Sequence, residues 1–253
     1  MASAPTRAAI VTGVSRGLGE ALAVALLARG FHVSGIGRAT SARLSGARYE
    51  FVAYDLAQVP GIDAALAAPF AAVAALRPTS VCLINNAAMV GPVGVYGKHA
   101  SDDFVAPLSL NLAAPAALAN LFCRVFATES GDRRIVNVSS GSAVRVLPGT
   151  GWYSAAKAGL EMLTAGIAAE QGTHGIRAIS LRPGIIATDM QVEARSHSKE
   201  AFPSVQVFRD FHEKGLLVAP DVAAERIVTH VVEAPVEQGR TYSYAELGAP
   251  TPG

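Results

Sequence analysis

Two rhythms alternate along the chain: short apolar runs of β character and longer stretches rich in Ala and Leu. The β-like runs fall at 7–13 (RAAIVTG), 31–37 (FHVSGIG), 49–56 (YEFVAYDL), 80–88 (SVCLINNAA), 133–140 (RRIVNVSS), 176–184 (IRAISLRPG) and near 240–246 (RTYSYAE). Runs such as RAAIV and CLIN carry no polar face, the pattern of strands covered on both sides. Between them, 18–30, 61–77, 101–126, 153–172 and a stretch opening at Pro220–Asp221 have the composition and length of helices. Gly30 stands where the first helix should end. Pro69 predicts a kink or break in the second, and a Ser/Asp cap with two prolines predicts a bent third helix. A polar segment occupies 188–217. Strands alternating with helices specify a parallel sheet with helices on both faces, and no linker, composition break or repeat divides the chain. The expectation is one doubly wound α/β domain.

Composition narrows the function classes. The 253 residues are 51% hydrophobic with a formal net charge of +1. A large core is available, but not the basic stripe that a nucleic-acid surface needs. Apolar stretches such as ALAVALLA (21–28) are far too short to span a bilayer, and MASAPTRAAIVTG has no apolar run of secretory length. Cys82 and Cys123 lie among apolar residues and read as small hydrophobes, with neither a disulfide framework nor a CxxC metal site. A cytoplasmic protein without metal, membrane or nucleic-acid partners is expected.

The first candidate chemistry sits where the first strand meets the first helix. TGVSRGLGE (12–20) places Gly13, Gly17 and Gly19 so that the backbone can turn tightly and approach a pyrophosphate resting on the helix N-terminus. Ser15, Arg16 and Leu18 complete that turn. The spacing is G-x3-G-x-G rather than the G-x-G-x-x-G of the general dinucleotide fingerprint. An NAD site ordinarily has an acidic residue at the end of the second strand for the ribose 2′-hydroxyl. Here no Asp or Glu occurs between Glu20 and Glu50, and the position in GIGR is Gly37 followed by Arg38. A guanidinium can bind a 2′-phosphate that a carboxylate would repel, so Arg38, with Arg16 from the other side, points to NADP(H). Arg43 and Arg48 read as solvated charges.

The second is GWYSAAKAG (151–159), which sets Tyr153 and Lys157 one helical turn apart on a shared face. A free phenol titrates near pH ~10, and a nearby ammonium should lower that value toward the working range.

TGVSRGLG, INNAA, SLNL, IVNVSS, YSAAK and RPGIIATDM occur in the order and spacing of a short-chain dehydrogenase/reductase. The chain resembles that family over essentially its whole length. The resemblance implies a Rossmann-type domain with a seven-stranded parallel sheet, and hydride transfer between a nicotinamide and a carbonyl or alcohol. It makes Tyr153 the acid/base and Lys157 its partner, which also holds the nicotinamide ribose. Either Ser139 or Ser140 should stabilise the substrate oxygen, on opposite faces of the strand. The family serine precedes the tyrosine by thirteen positions, which selects Ser140. Asn111 in SLNL matches an asparagine that holds a water in the proton relay, though an Asn in an Ala-rich helix is by itself more often a local irregularity. Asp55 and Leu56 should border the adenine, and Asn86 and Ala87 should line the cofactor. Pro183, Gly184, Ile186 and Thr188 should hold the nicotinamide amide. Ala88 replaces a usual glycine, which matters only if that position needs positive φ.

Beyond Thr188 the sequence resembles the sepiapterin reductase and benzil reductase branch, which implies reduction of vicinal dicarbonyls with NADPH. Segment 188–217 would be the substrate lid, with Trp152, Val144, Met190 and Phe202 as pocket walls beside Tyr153 and Ser140. Sepiapterin reductases anchor the pterin with an acidic group near the C-terminus; here Ser243 aligns there, with Glu246 three residues on, which favours a benzil-like diketone. Two alternatives remain: a 3-oxoacyl-carrier-protein reductase, which needs a basic docking surface that Arg124, Arg133 and Arg134 support only a little, and a non-enzymatic NADP(H) sensor. The family resemblance also implies a homodimer or homotetramer formed through the helices at 101–126 and 153–172.

Overall fold

The computed structural model describes residues 5–128 and 130–248. Among the described residues, seven strands form one parallel sheet, β1 (Arg7–Thr12), β2 (His32–Gly37), β3 (Tyr49–Ala53), β4 (Ser80–Asn85), β5 (Asp132–Val138), β6 (Ile176–Arg182) and β7 (Thr241–Ser243). Their spatial order is β3-β2-β1-β4-β5-β6-β7. Helix α1 (Gly17–Ala28) crosses one face between β1 and β2, and α2 (Ile62–Ala75) crosses the other between β3 and β4.

The missing polar face of the strands follows from this layering. Ala8 and Ile10 of β1 point into a core shared with Leu66, Phe70, Leu118 and Phe122. Ala9 and Val11 point into a second core with Leu22, Leu26, Ile227 and Val231. Both periods of the strand are therefore apolar.

Pro69 does not break its helix: α2 runs unbroken from Ile62 to Ala75. Its ring leaves the Ala65 carbonyl without its usual helical donor. The buried side chains of Ile62, Leu66, Phe70 and Val73 hold the helix to the sheet on either side of that gap. The bend expected in 101–126 takes a specific form. A 3₁₀ turn (Ser101–Phe104) leads into α3 (Val105–Leu108), a π segment (Ser109–Ala113) and α4 (Ala114–Phe126). Taken together these 26 residues are long and apolar enough to cross a membrane, unlike the shorter runs weighed from the sequence. In the fold, however, Leu118, Leu121, Phe122 and Phe126 are core side chains against the sheet.

The longest helix, α5 (Gly151–Gln171), lies beside β5 and β6. The polar segment forms two short helices, α6 (Asp189–Ser196) and α7 (Val205–Glu213), before α8 (Pro220–Ile227) returns to pack on α1. The strand order reverses between β1 and β4. In open α/β sheets ligands bind at such a reversal, beyond the carboxyl ends of the strands.

Candidate active site

A cleft of about 1030 Å³ opens at that position. On one side, Gly13 (φ +74°) and Gly17 (φ +63°) turn the chain from β1 into α1 in conformations that glycine adopts without strain. Gly19 serves a different need. A Cβ there would stand 2.2 Å from the Gly13 carbonyl oxygen and 2.4 Å from Asn86 Nδ2, so the helix can approach the strand ends only without a side chain. Thr12, which the sequence reading passed over, ties the two strands together. Its Oγ1 accepts hydrogen bonds from the amides of Asn86 and Ala87, both at 2.9 Å, and Asn86 Nδ2 donates to the Thr12 carbonyl at 3.0 Å. A hydroxyl-bearing last residue of β1, just before the glycine turn, was its only signal. Ala88 has negative φ and bears its Cβ without strain.

Every residue assigned to the cofactor lines this cleft except Gly19, which packs beneath it. Arg38 is exposed at the end of β2 and, among the described residues, makes no ion pair. Arg16 differs: it pairs with Asp189 at 2.8 Å, tying the glycine turn to the start of α6. Arg43 pairs with Asp221 and Glu20 and faces solvent. A cofactor with a negatively charged end fits this cradle, with bare amides at the α1 N-terminus and no carboxylate at the end of β2.

The second half of the cleft holds Tyr153, Lys157 and Ser140. Strand β5 ends at Val138, and Ser140 then caps a 3₁₀ turn by accepting from the Ser142 amide at 3.1 Å. The two serines separate as the strand period requires. Both border the cleft, but the Ser140 hydroxyl is directed at the phenol, whereas Ser139 is buried and donates to Glu161 Oε1 at 2.7 Å. Lys157 Nζ donates to the Val138 carbonyl at 2.8 Å and lies 5.7 Å from the centre of the Tyr153 ring.

Burial pushes the Tyr153 phenol up to about 12, against an opposing pull from the Ser140 hydroxyl. Burial also brings Lys157 down to about 8. The expected lowering of the phenol by the ammonium is therefore absent in the protein alone, because Nζ is turned to the Val138 carbonyl. What the site holds at neutral pH is a protonated phenol, ready to donate.

Asn111 lies in the π segment, fully buried, and does not line the cleft. Both protons of its amide are engaged, at 2.9 Å each, by the carbonyls of Met89 and Pro107, and Oδ1 accepts from the Met89 amide at 3.3 Å. These bonds anchor the loop after β4 to the helix irregularity.

Of the expected substrate walls, Met190 lines the cleft and the others do not. Phe202 is 0% exposed and packs with Ala194 and Val205 in a small core under α6 and α7. Trp152 is buried and donates to the Pro92 carbonyl at 2.5 Å, while Val144 faces solvent. The apolar wall comes from Met89, Val90, Pro92 and Phe208, along with Met190. These share no sequence motif, and only the fold brings them together. Ser243 and Glu246 do not line the cleft; Glu246 accepts from the Ser243 amide at 2.8 Å. The basic docking surface is also missing. Arg133 and Arg134 are buried and donate to backbone carbonyls, and Arg124 pairs with Asp63.

Comparisons with known proteins agree with this geometry. The family model for short chain dehydrogenases matches residues 7–199. A benzil reductase ((S)-benzoin forming) from Bacillus subtilis (strain 168) is 34% identical over 240 residues, which is 94% of this chain and 98% of that protein. An L-xylulose reductase from Mesocricetus auratus is 31% identical over 189 residues, 73% of each chain. Among solved structures, the KRED1-Pglu enzyme superposes with a TM-score of 0.82 at 26% identity, covering 94% of this chain and 100% of its own.

Proposed function

The chain belongs to the short-chain dehydrogenase family as an oxidoreductase acting on CH–OH and C=O groups, and on that premise we propose that it is an NADPH-dependent reductase of vicinal dicarbonyls. The observation that carries the proposal is the continuity of one cleft. An arginine without a partner among the described residues stands where the dinucleotide's adenosine end would lie, and a protonated phenol faces an apolar wall at the other end.

A nicotinamide bound in that cleft would supply the hydride. The residues of the chain do the rest. Arg38 would hold the 2′-phosphate, and the amides at the α1 N-terminus would hold the pyrophosphate. Tyr153 Oη donates its proton to the carbonyl oxygen as negative charge develops there, and Ser140 Oγ donates a hydrogen bond to the same oxygen. Lys157 Nζ, held by the Val138 carbonyl in the protein alone, would favour the phenolate left behind only on turning toward it. Asn111 fixes Met89 and thereby the floor of the substrate site. The helices α6 and α7 act as the lid, with Met190 and Phe208 facing the substrate. A flat aromatic diketone suits this wall of Met, Val, Pro and Phe side chains, and Ser243 and Glu246, which align with the pterin anchor, lie off the cleft. The 34% identity to a benzil reductase supports the same substrate class.

The test is a panel of benzil, an aliphatic 1,2-diketone, sepiapterin, simple aryl ketones and acyl thioesters, each assayed with NADPH and NADH. The expected result is oxidation of NADPH with the diketones, at a kcat/KM at least tenfold above that with NADH. Turnover of aryl ketones or thioesters without any diketone activity would overturn the substrate class, and equal use of both nicotinamides would overturn the cofactor.

A further inference from the structure

Glu161 is a charged, largely buried side chain that the catalytic scheme leaves without a role. It follows Lys157 by one helical turn and Tyr153 by two, so the three share a stripe of α5. Its carboxylate is fully engaged. Oε1 accepts from Ser139 Oγ at 2.7 Å and from Arg182 Nε at 2.8 Å, and Oε2 accepts from Arg182 Nη2 at 2.7 Å. The two side chains retain only 15% and 26% of their exposure.

The partners are placed at consequential points. Ser139 directly precedes Ser140, and Arg182 directly precedes Pro183 and Gly184. Three successive residues at the end of β5 and just beyond it thus meet α5. The Val138 carbonyl meets Lys157, the Ser139 hydroxyl meets Glu161, and Ser140 stands beside Tyr153.

We propose that the Glu161–Arg182 ion pair is the positioning device of this site, latching the ends of β5 and β6 to α5 while keeping the net charge one turn beyond Lys157 at zero. This deepens the reductase reading, but its geometry does not depend on which substrate is reduced. The bidentate fork matters, because a single point contact would not fix both strand ends. Charge balance matters because Lys157 is buried in a region of low effective dielectric, where a neighbouring unit charge is felt strongly.

Few other charges face this lysine. On its own helix stand Tyr153, whose ring centre is 5.7 Å from Nζ, and Glu161. From β6 comes Arg182, and from the turn after β7 comes Glu246, which acts on Arg182. The segment Val105–Ala113 and the loop 86–92, which close the other sides, contain no titratable side chain.

The test needs no turnover. The chain has four lysines, Lys98, Lys157, Lys199 and Lys214, so labelling Lys Cε with ¹³C gives four NMR signals, and loss of one in Lys157→Met assigns it. In the wild type the Lys157 signal should titrate near pH 8. Glu161→Gln leaves the guanidinium uncompensated and should lower that midpoint by about half a unit or more. Arg182→Met leaves the carboxylate uncompensated and should raise it by a similar amount, and the double variant should return to the wild-type value. A merely structural role would let water in and move both single variants upward together, toward the value of a free lysine. That result, or wild-type midpoints in every variant, would overturn the proposal. If Glu161→Gln does not fold, Arg182→Met and the double variant still decide, since only charge compensation restores the midpoint. A protein inactive on diketones but showing opposite shifts would sink the dicarbonyl reading and leave this one standing.

Discussion

The two walls of the cleft are built by opposite means. The cofactor wall is mostly backbone: glycines at 13, 17 and 19, the ends of β1 and β4, and the Thr12 hydroxyl that binds them. The substrate wall is mostly side chain. Helices α6 and α7 stand off the sheet, flanked by a single bridge between Ile186 and Val218, and cohere around Phe202, Ala194 and Val205. A wall made of backbone conformations tolerates little change, because a Cβ at Gly19 would collide with a main-chain oxygen. A wall made from a small cluster of side chains can be repacked without disturbing the sheet. The match to the family model accordingly runs from residue 7 and stops at 199, between α6 and α7. The whole backbone wall lies inside that match, whereas α7 with Phe208 lies beyond it.

The largest expected effect lies where the walls meet. Tyr153→Phe removes the proton donor while keeping the ring, and the kcat for diketone reduction should fall by about 10²- to 10⁴-fold. The Kd for NADPH should change less than about threefold, since the glycine turn and Arg38 are untouched. A Phe variant that kept a tenth of the wild-type kcat would place the donor elsewhere. Next in size is a change to the cofactor wall alone. Arg38→Asp puts a carboxylate at the end of β2, and the KM for NADPH should rise by about two orders of magnitude, with little change in the KM for NADH. Equal effects on the two nicotinamides would remove Arg38 from the 2′-phosphate site, and the contrast between the walls would lose its anchor on this side.

The same contrast explains what could be read from the sequence. The order of strands and helices, the glycine turn and the Tyr153/Lys157 face were legible because each is a local pattern with a fixed period or conformation. Choosing Ser140 over Ser139 needed a family spacing, and the fold separates them by sending Ser139 to Glu161. Phe202 and Trp152 read as pocket walls because an aromatic side chain carries no mark of which surface will cover it. Both are buried, and the wall is made by Phe208 and Met89 instead. Pro69 obeyed no local rule either, since packing of Leu66 and Phe70 outweighed one missing amide. Glu161 was invisible for a related reason. Its meaning depends on Arg182, which lies twenty-one positions away and comes alongside only through the β5–α5–β6 crossover.

The smallest predicted effect separates the lid's lining from its core. Phe208 faces the cleft, whereas Phe202 lies beneath it with ring centroids 5.3 Å apart. Phe208→Ala removes one wall of the substrate site, so the KM for benzil should rise about three- to tenfold, in line with about 0.7–1.4 kcal/mol of lost apolar contact. The KM for NADPH should stay unchanged. Phe202→Ala empties the small core and should destabilise α6 and α7 by roughly 3–5 kcal/mol. That loss is local, because the cluster of Ala194, Phe202 and Val205 is separate from the two cores on the sheet. Hydrogen exchange should therefore quicken in 189–213 while the amides of β1, β4 and β5 keep their protection. If exchange quickened in the sheet as well, the two walls would be one cooperative unit, and their different construction would not make the substrate side free to change.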